Sequence, residues 1–121
     1  MDRNLPSALF LARQADIPEA GGYRVQLPNG LDIALFRTSA GIRAVENRCP
    51  HAGGRLDDGL VRGNELMCIW HGWRFDLRSG DCRNHDGNGL RFLDIFIEAG
   101  GIYLPADSSR PFSQHPKEEF P

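Results

Sequence analysis

No stretch of this chain approaches the roughly eighteen consecutive apolar residues that a membrane-spanning helix requires, so no membrane partner is expected. Charge of one sign is missing too, because acidic and basic residues are interspersed around a formal net charge of −2. There is no basic stripe interleaved with aromatics, and nucleic acid is not an expected partner. The opening MDRNLPSALFLARQ has no net-positive leader, and its short apolar run at 5–12 is followed at once by Arg13; a signal peptide is not expected. Cysteine is scarce as well. Three cysteines cannot build a disulfide framework, which points to a reducing, cytoplasmic setting where cysteines serve metal or redox chemistry more often than cross-linking.

Helical periodicity and internal repeats are also absent. Turn signals instead recur at short intervals. Asn29-Gly30 separates YRVQL from the alternating LDIALFR, a strong hairpin signal. RGN at 62–64 and RSG at 78–80 separate further short apolar runs, and AGG at 99–101 closes a last hairpin between RFLDIFIE and IYL. Leu31, Ile33 and Leu35 are expected on one strand face, and Leu93, Ile95 and Ile97 on another. PSALFLARQ at 6–14 reads as an extended arm or strand. With 121 residues this is one all-β domain, an antiparallel sandwich or barrel over 1–104, followed by a polar, Pro-rich tail at 105–121.

Two stretches do not fit the role of plain strand or turn. NRCPHAGGRL at 47–56 and MCIWHGW at 67–73 each place a cysteine close to a histidine in a constrained loop. Together they read Cys49-x-His51, sixteen residues, then Cys68-x-x-His71. Two thiolates and two imidazoles suit a structural zinc ion, or a [2Fe–2S] cluster with histidines on one iron. Zinc fingers put both cysteines in one knuckle and both histidines on a helix. Here each loop supplies one of each, and a dinuclear centre accounts for that segregation.

CPHAGGRL followed by CIWHGWRFDLRSG resembles the cluster-binding region of Rieske proteins, in particular the ferredoxins that serve bacterial ring-hydroxylating dioxygenases. The likeness is specific over 49–80 and looser over about 15–104. It implies a small antiparallel β-domain with a cluster-binding subdomain at its tip, built on loops 47–58 and 66–76. It also makes Cys49 and Cys68 the ligands of the inner iron, and His51 and His71 those of the outer one. The implied role is that of a monomeric one-electron carrier between a flavin-dependent NAD(P)H reductase and a terminal oxygenase. A stand-alone Rieske protein for another redox partner is an alternative, as is a zinc module. A catalytic oxygenase subunit needs a further domain with a mononuclear iron, which the seventeen residues after Leu104 are too few to hold.

Around the ligands, Gly53, Gly54 and Gly72 are expected to supply unusual backbone angles and bring N–H groups toward the sulfides. Pro50, Leu56, Trp73 and Phe75 are expected to form an apolar shell, although ordinary core packing explains Leu56 and Phe75 equally well. Respiratory Rieske proteins aim a serine and a tyrosine hydroxyl at the sulfurs and brace the loops with a disulfide. The matching positions here are Trp73 and Phe75, and Gly53 and Trp70, so neither feature is present and the resemblance implies a potential near the low end of the class, about −150 mV. Cys82 reads as a small half-buried side chain, and His85 as part of a polar turn where Rieske domains carry a proline-containing loop. His115 reads as solvated, and Arg55 and Arg74 are candidates to dock an acidic partner, although exposed arginines usually have no special role.

Overall fold

The computed structural model describes residues 8–50, 53–69, 72–84 and 89–105. Its strands are β1 (Leu9–Arg13), β2 (Gly22–Gln26), β3 (Asp32–Thr38), β4 (Gly41–Glu46), β5 (Leu60–Arg62), β6 (Glu65–Met67), β7 (Arg74–Asp76), β8 (Phe92–Leu93), β9 (Phe96–Glu98) and β10 (Gly101–Leu104). A single 3₁₀ turn, Gln14–Asp16, follows β1. Among the described residues no helix is long and apolar enough to cross a membrane.

The strands form three antiparallel sheets, ordered β1-β10-β9, β2-β3-β4-β8 and β5-β6-β7. The four-stranded sheet is central, because both of its faces are buried. On β3, Ile33, Ala34, Leu35 and Phe36 are all fully buried. The alternation of a strand sends Ile33 and Leu35 one way and Ala34 and Phe36 the other. Ile33 and Leu35 meet Ala44, Leu93, Ile102 and Leu104 in a core beneath the β1-β10-β9 sheet. Ala34 and Phe36 meet Val45, Phe92, Leu66, Phe75 and both Cys49 and Cys68 in a second core. Fully burying an aliphatic or aromatic side chain of this size contributes about 1.5–3 kcal/mol, so β3 anchors both halves.

The expected hairpins form. Leu27 and Leu31 close the β2–β3 hairpin over the three residues Pro28, Asn29 and Gly30, with Gly30 at φ 96° and the Asn29 Oδ1 accepting the Leu31 N–H at 3.0 Å. PSALFLARQ does contain a strand, β1, paired to the end of β10 through Leu9 and Leu104.

One expectation fails. RFLDIFIE is not one strand with Leu93, Ile95 and Ile97 on a common face. It breaks at Asp94-Ile95: β8 pairs with β4 in the central sheet, and β9 pairs with β10 in the neighbouring sheet. Phe92 and Leu93 are both buried, one in each core, whereas Ile97 is 42% exposed. The chain changes sheets here, and a single alternating pattern cannot survive that change.

Candidate metal centre

The two cysteine loops leave the fold from different connections but share one turn geometry. The first follows β4 and runs into β5, and the second joins β6 to β7. In both, the cysteine N–H donates to the carbonyl five residues on: Cys49 to Gly54 at 2.7 Å, Cys68 to Trp73 at 2.8 Å. In both, the cysteine carbonyl accepts the N–H of the glycine four residues on: from Gly53 at 2.9 Å and from Gly72 at 2.9 Å. That glycine is left-handed each time, φ 76° at Gly53 and 69° at Gly72, a conformation that costs other L-residues roughly 1–2 kcal/mol. The spacing Cys-x-x-x-Gly in both loops is the sequence trace of this shared turn.

Gly54 departs from expectation. Its contribution is the carbonyl that receives Cys49, and it is not among the residues with positive φ. The N–H groups of Gly53 and Gly72 close the turns on the Cys49 and Cys68 carbonyls.

Each loop is held by an asparagine that the sequence did not single out. Asn47 is 4% exposed. Its Oδ1 accepts the N–H of Leu56 at 2.8 Å and of Asp57 at 2.9 Å, and its Nδ2 donates to Asp32 at 3.1 Å and Asp57 at 2.7 Å. Arg24 and Arg55 close the network on Asp32 and Asp57. Hydrogen bonding from Arg24 holds the Asp32 carboxyl below the usual range, and Arg55 does the same for Asp57. Gly22 lets the loop sit this close, since a Cβ there would stand 2.7 Å from the Asp57 Cα. On the second loop, Asn84 accepts the Arg74 N–H at 3.0 Å and donates to the Gly72 carbonyl at 3.0 Å. The only local sign of either asparagine is its position next to a cysteine motif or a turn.

Cys49 is 1% exposed and Cys68 is fully buried, and both sit in the same apolar cluster as Leu56 and Phe75. Trp73 packs partly buried against that cluster, and Pro50 is half-buried. None of the three cysteines is in a disulfide. Two thiols in one core, on two loops of the same geometry and not bonded to each other, fit a sulfur-ligated group bridging the loops. His51, His71, Trp70 and His85 lie outside the described residues, as does His115. Among the described residues there is no group of three or more metal-ligating side chains.

Cys82 is half-buried against the same core, forms an isolated bridge with Phe75, and has its Sγ 3.7 Å from the Asn84 Oδ1. Arg55 and Arg74 are engaged internally, Arg55 with Asp57 at 2.7 Å and Arg74 with Glu65 at 3.6 Å.

Two buried thiols on twin loops of a β-domain are a donor pair suited to an iron–sulfur centre. Residues 7–91 match the Rieske [2Fe-2S] domain, and the chain is a member of that family, whose cofactor is a Rieske-type [2Fe–2S] cluster. The chain is similar to the ferredoxin component of the p-cumate 2,3-dioxygenase system of Pseudomonas putida, 31% identical over 103 residues that cover 84% of this chain and 87% of that protein. It is also similar to a 4β-methylsterol monooxygenase of Methylococcus capsulatus, 56% identical over 48 residues that cover 39% of this chain and 13% of that protein. Oxidoreductase NdmD of Pseudomonas putida matches at 40% identity over 60% of this chain, which spans only 12% of that protein. The Sphingomonas yanoikuyae B1 ferredoxin superposes with a TM-score of 0.73 at 22% identity, covering 79% of this chain and 95% of that one. That likeness is one of fold.

Proposed function

We propose that this protein is a one-electron carrier, itself without a catalytic centre, whose [2Fe–2S] cluster is held by Cys49, His51, Cys68 and His71. Its proposed donor is a flavin-dependent NAD(P)H reductase, and its proposed acceptor is a terminal oxygenase acting on an aromatic or related compound, in the cytoplasm. The observation that carries this reading is the pair of twin turns, each delivering one buried thiol to the same core. The p-cumate ferredoxin component, matched over most of both chains, supports the choice of partners.

When bound, the cluster supplies a one-electron couple, raised by imidazole ligation above that of four-cysteine clusters. The residues of this chain contribute the rest. Cys49 and Cys68 are held in the apolar core, where Leu56 and Phe75 exclude water around the thiolates. Asn47 and Asn84 fix the exits of the two loops, so little rearrangement is needed when the charge changes. Such preorganisation around a metal group tunes its properties as much as the ligands do.

Absorption, metal analysis and EPR of freshly purified protein test the reading. Two irons and two labile sulfides per chain, a red-brown colour and a rhombic signal of low average g on reduction are expected. Zinc alone would overturn the cluster. His71→Cys is expected to change the spectrum or abolish it, and an unaltered spectrum would overturn the ligand set.

A further inference from the structure

Beside the first cysteine loop lies a groove of about 370 Å³, open to solvent and lined by the β2–β3 turn (Gly30, Leu31, Asp32), the end of β4 (Glu46, Asn47, Arg48) and the loop itself (Gly53, Arg55). Its charges are nearly all answered from within. Asp32 is bound by Arg24 at 2.8 Å, Arg55 by Asp57 at 2.7 Å, and Glu46 faces Arg91 at 3.8 Å. Asp58, a further 3.6 Å partner of Arg55, does not line the groove. Arg48 is the exception. It is exposed, and its guanidinium makes no hydrogen bond or ion pair with any described residue, although its backbone N–H donates to the Glu46 carbonyl at 2.7 Å.

Its position is specific. Arg48 directly precedes Cys49, and its Nε and Nη2 lie 3.8 and 3.9 Å from where a Cβ on Gly53 would stand. The guanidinium therefore lies over the first turn, at van der Waals distance from the glycine that closes it. A cation without a side-chain partner among the described residues, at the rim of a concave polar surface and resting on the loop that carries a proposed cluster ligand, invites a carboxylate from another protein. Exposed charges placed this way act on encounter and orientation more than on final affinity.

We propose that the groove at Arg48 is a docking site for an acidic side chain on the surface of an electron-transfer partner, bringing that partner to the first cysteine loop. The proposal rests on the electron-carrier reading, and two measurements keep their failures apart. The first is binding of a fluorescein-labelled glutamate-rich hexapeptide, followed by anisotropy on the oxidised protein at low ionic strength. The second is stopped-flow oxidation of the reduced protein by ferricyanide and by hexaamminecobalt(III), acceptors of opposite charge.

Arg48→Glu is expected to weaken peptide binding about fivefold. It should slow the anionic oxidant and speed the cationic one, with both effects fading in high salt. The reference variant is Arg62→Glu, which reverses another exposed arginine on β5 and changes net charge identically; it should move each quantity less than twofold. Equal effects in the two variants, or none in Arg48→Glu, overturn the docking site. A protein that cannot be reduced at all overturns the carrier reading while the peptide measurement still reports on the groove.

Discussion

The Oδ1 of Asn47 lies 2.8 Å from the backbone nitrogen of Leu56 and accepts its hydrogen bond in a site where the asparagine is 4% exposed. The same oxygen takes the N–H of Asp57. One side chain thus satisfies two backbone donors of the first loop. Replacing Asn47 with alanine leaves both without an acceptor in a buried place, which costs about 2–3 kcal/mol. Urea denaturation should show this loss, with the m-value unchanged if the loop stays folded. A cost under about 0.5 kcal/mol would mean that water enters and replaces the amide.

The twin turns make a second prediction. Among the described residues, a Cβ at Gly72 would meet nothing within 4 Å and one at Gly53 only the Arg48 side chain at 3.8 Å, so alanine at either position brings backbone strain without a clash there. Gly72→Ala should cost about 1–2 kcal/mol, and Gly72→Asn less, since asparagine tolerates the left-handed region. Thermal melts of the pair distinguish strain from lost space: equal destabilisation would refute the conformational account. Gly22→Ala, by contrast, forces its Cβ to within 2.7 Å of the Asp57 backbone and should cost more.

Much of this was legible in the sequence. Turn residues announced the hairpins, because Asn-Gly and Gly-Asn dipeptides encode a local conformation. The two Cys/His pairs pointed to a [2Fe–2S] cofactor, which the family match bears out, because ligand chemistry survives without knowledge of the fold. What was not legible depends on distant partners. Leu93 and Ile97 look like same-face positions of one alternating strand, yet Leu93 is buried and Ile97 exposed because the chain crosses between sheets between them. The second buried face of β3, carrying Ala34 and Phe36, is hidden for the same reason: only the presence of a third sheet buries it. Asn47 and Asn84 resemble any loop asparagine until the strands they join are in place.

Cys82 and Asn84 should separate cleanly on mutation. Cys82→Ser changes a half-buried side chain whose Sγ is 3.7 Å from the Asn84 Oδ1, and should leave the visible spectrum intact with a stability change within about 1 kcal/mol. Asn84→Ala removes the bonds to Arg74 and Gly72 on either side of Trp73 and should accelerate loss of colour on chelator challenge. Bleaching at the parental rate would show that the second loop does not need this clasp.

Three carboxylates set the behaviour in acid. Asp32 and Asp57 are held below the usual carboxylate range, first by their arginine hydrogen bonds. Burial pushes the Asp76 carboxyl up, but the Arg78 side chain, the N–H groups of Arg78 and Ser79 and the Arg78 charge outweigh it and leave it lowered. A group with a lowered folded pKa binds its proton more readily when unfolded, so it adds stability above the unfolded value of about 3.9 and loses it as pH falls through the folded value. Denaturant midpoints should therefore be flat across neutrality and fall below about pH 4. The fall should be shallower in Asp57→Asn, which has already lost one of the three. An identical slope in that variant would remove Asp57 from the explanation.

The potential depends on what surrounds the buried thiols. Phe75, fully buried in the same cluster as Cys49 and Cys68, has no hydroxyl to donate to sulfur, and Trp73 packs beside it. No disulfide ties the loops. Hydrogen bonds to sulfur stabilise the reduced, more negative state, so the lack of hydroxyl donors at Trp73 and Phe75 lowers the potential within the Rieske range. Protein-film voltammetry should give about −150 mV, and Phe75→Tyr, which offers a hydroxyl at the ring's edge, should shift the value upward if that group reaches a sulfur. A native value well above 0 mV would mean that other donors, unrelated to these two side chains, polarise the sulfurs.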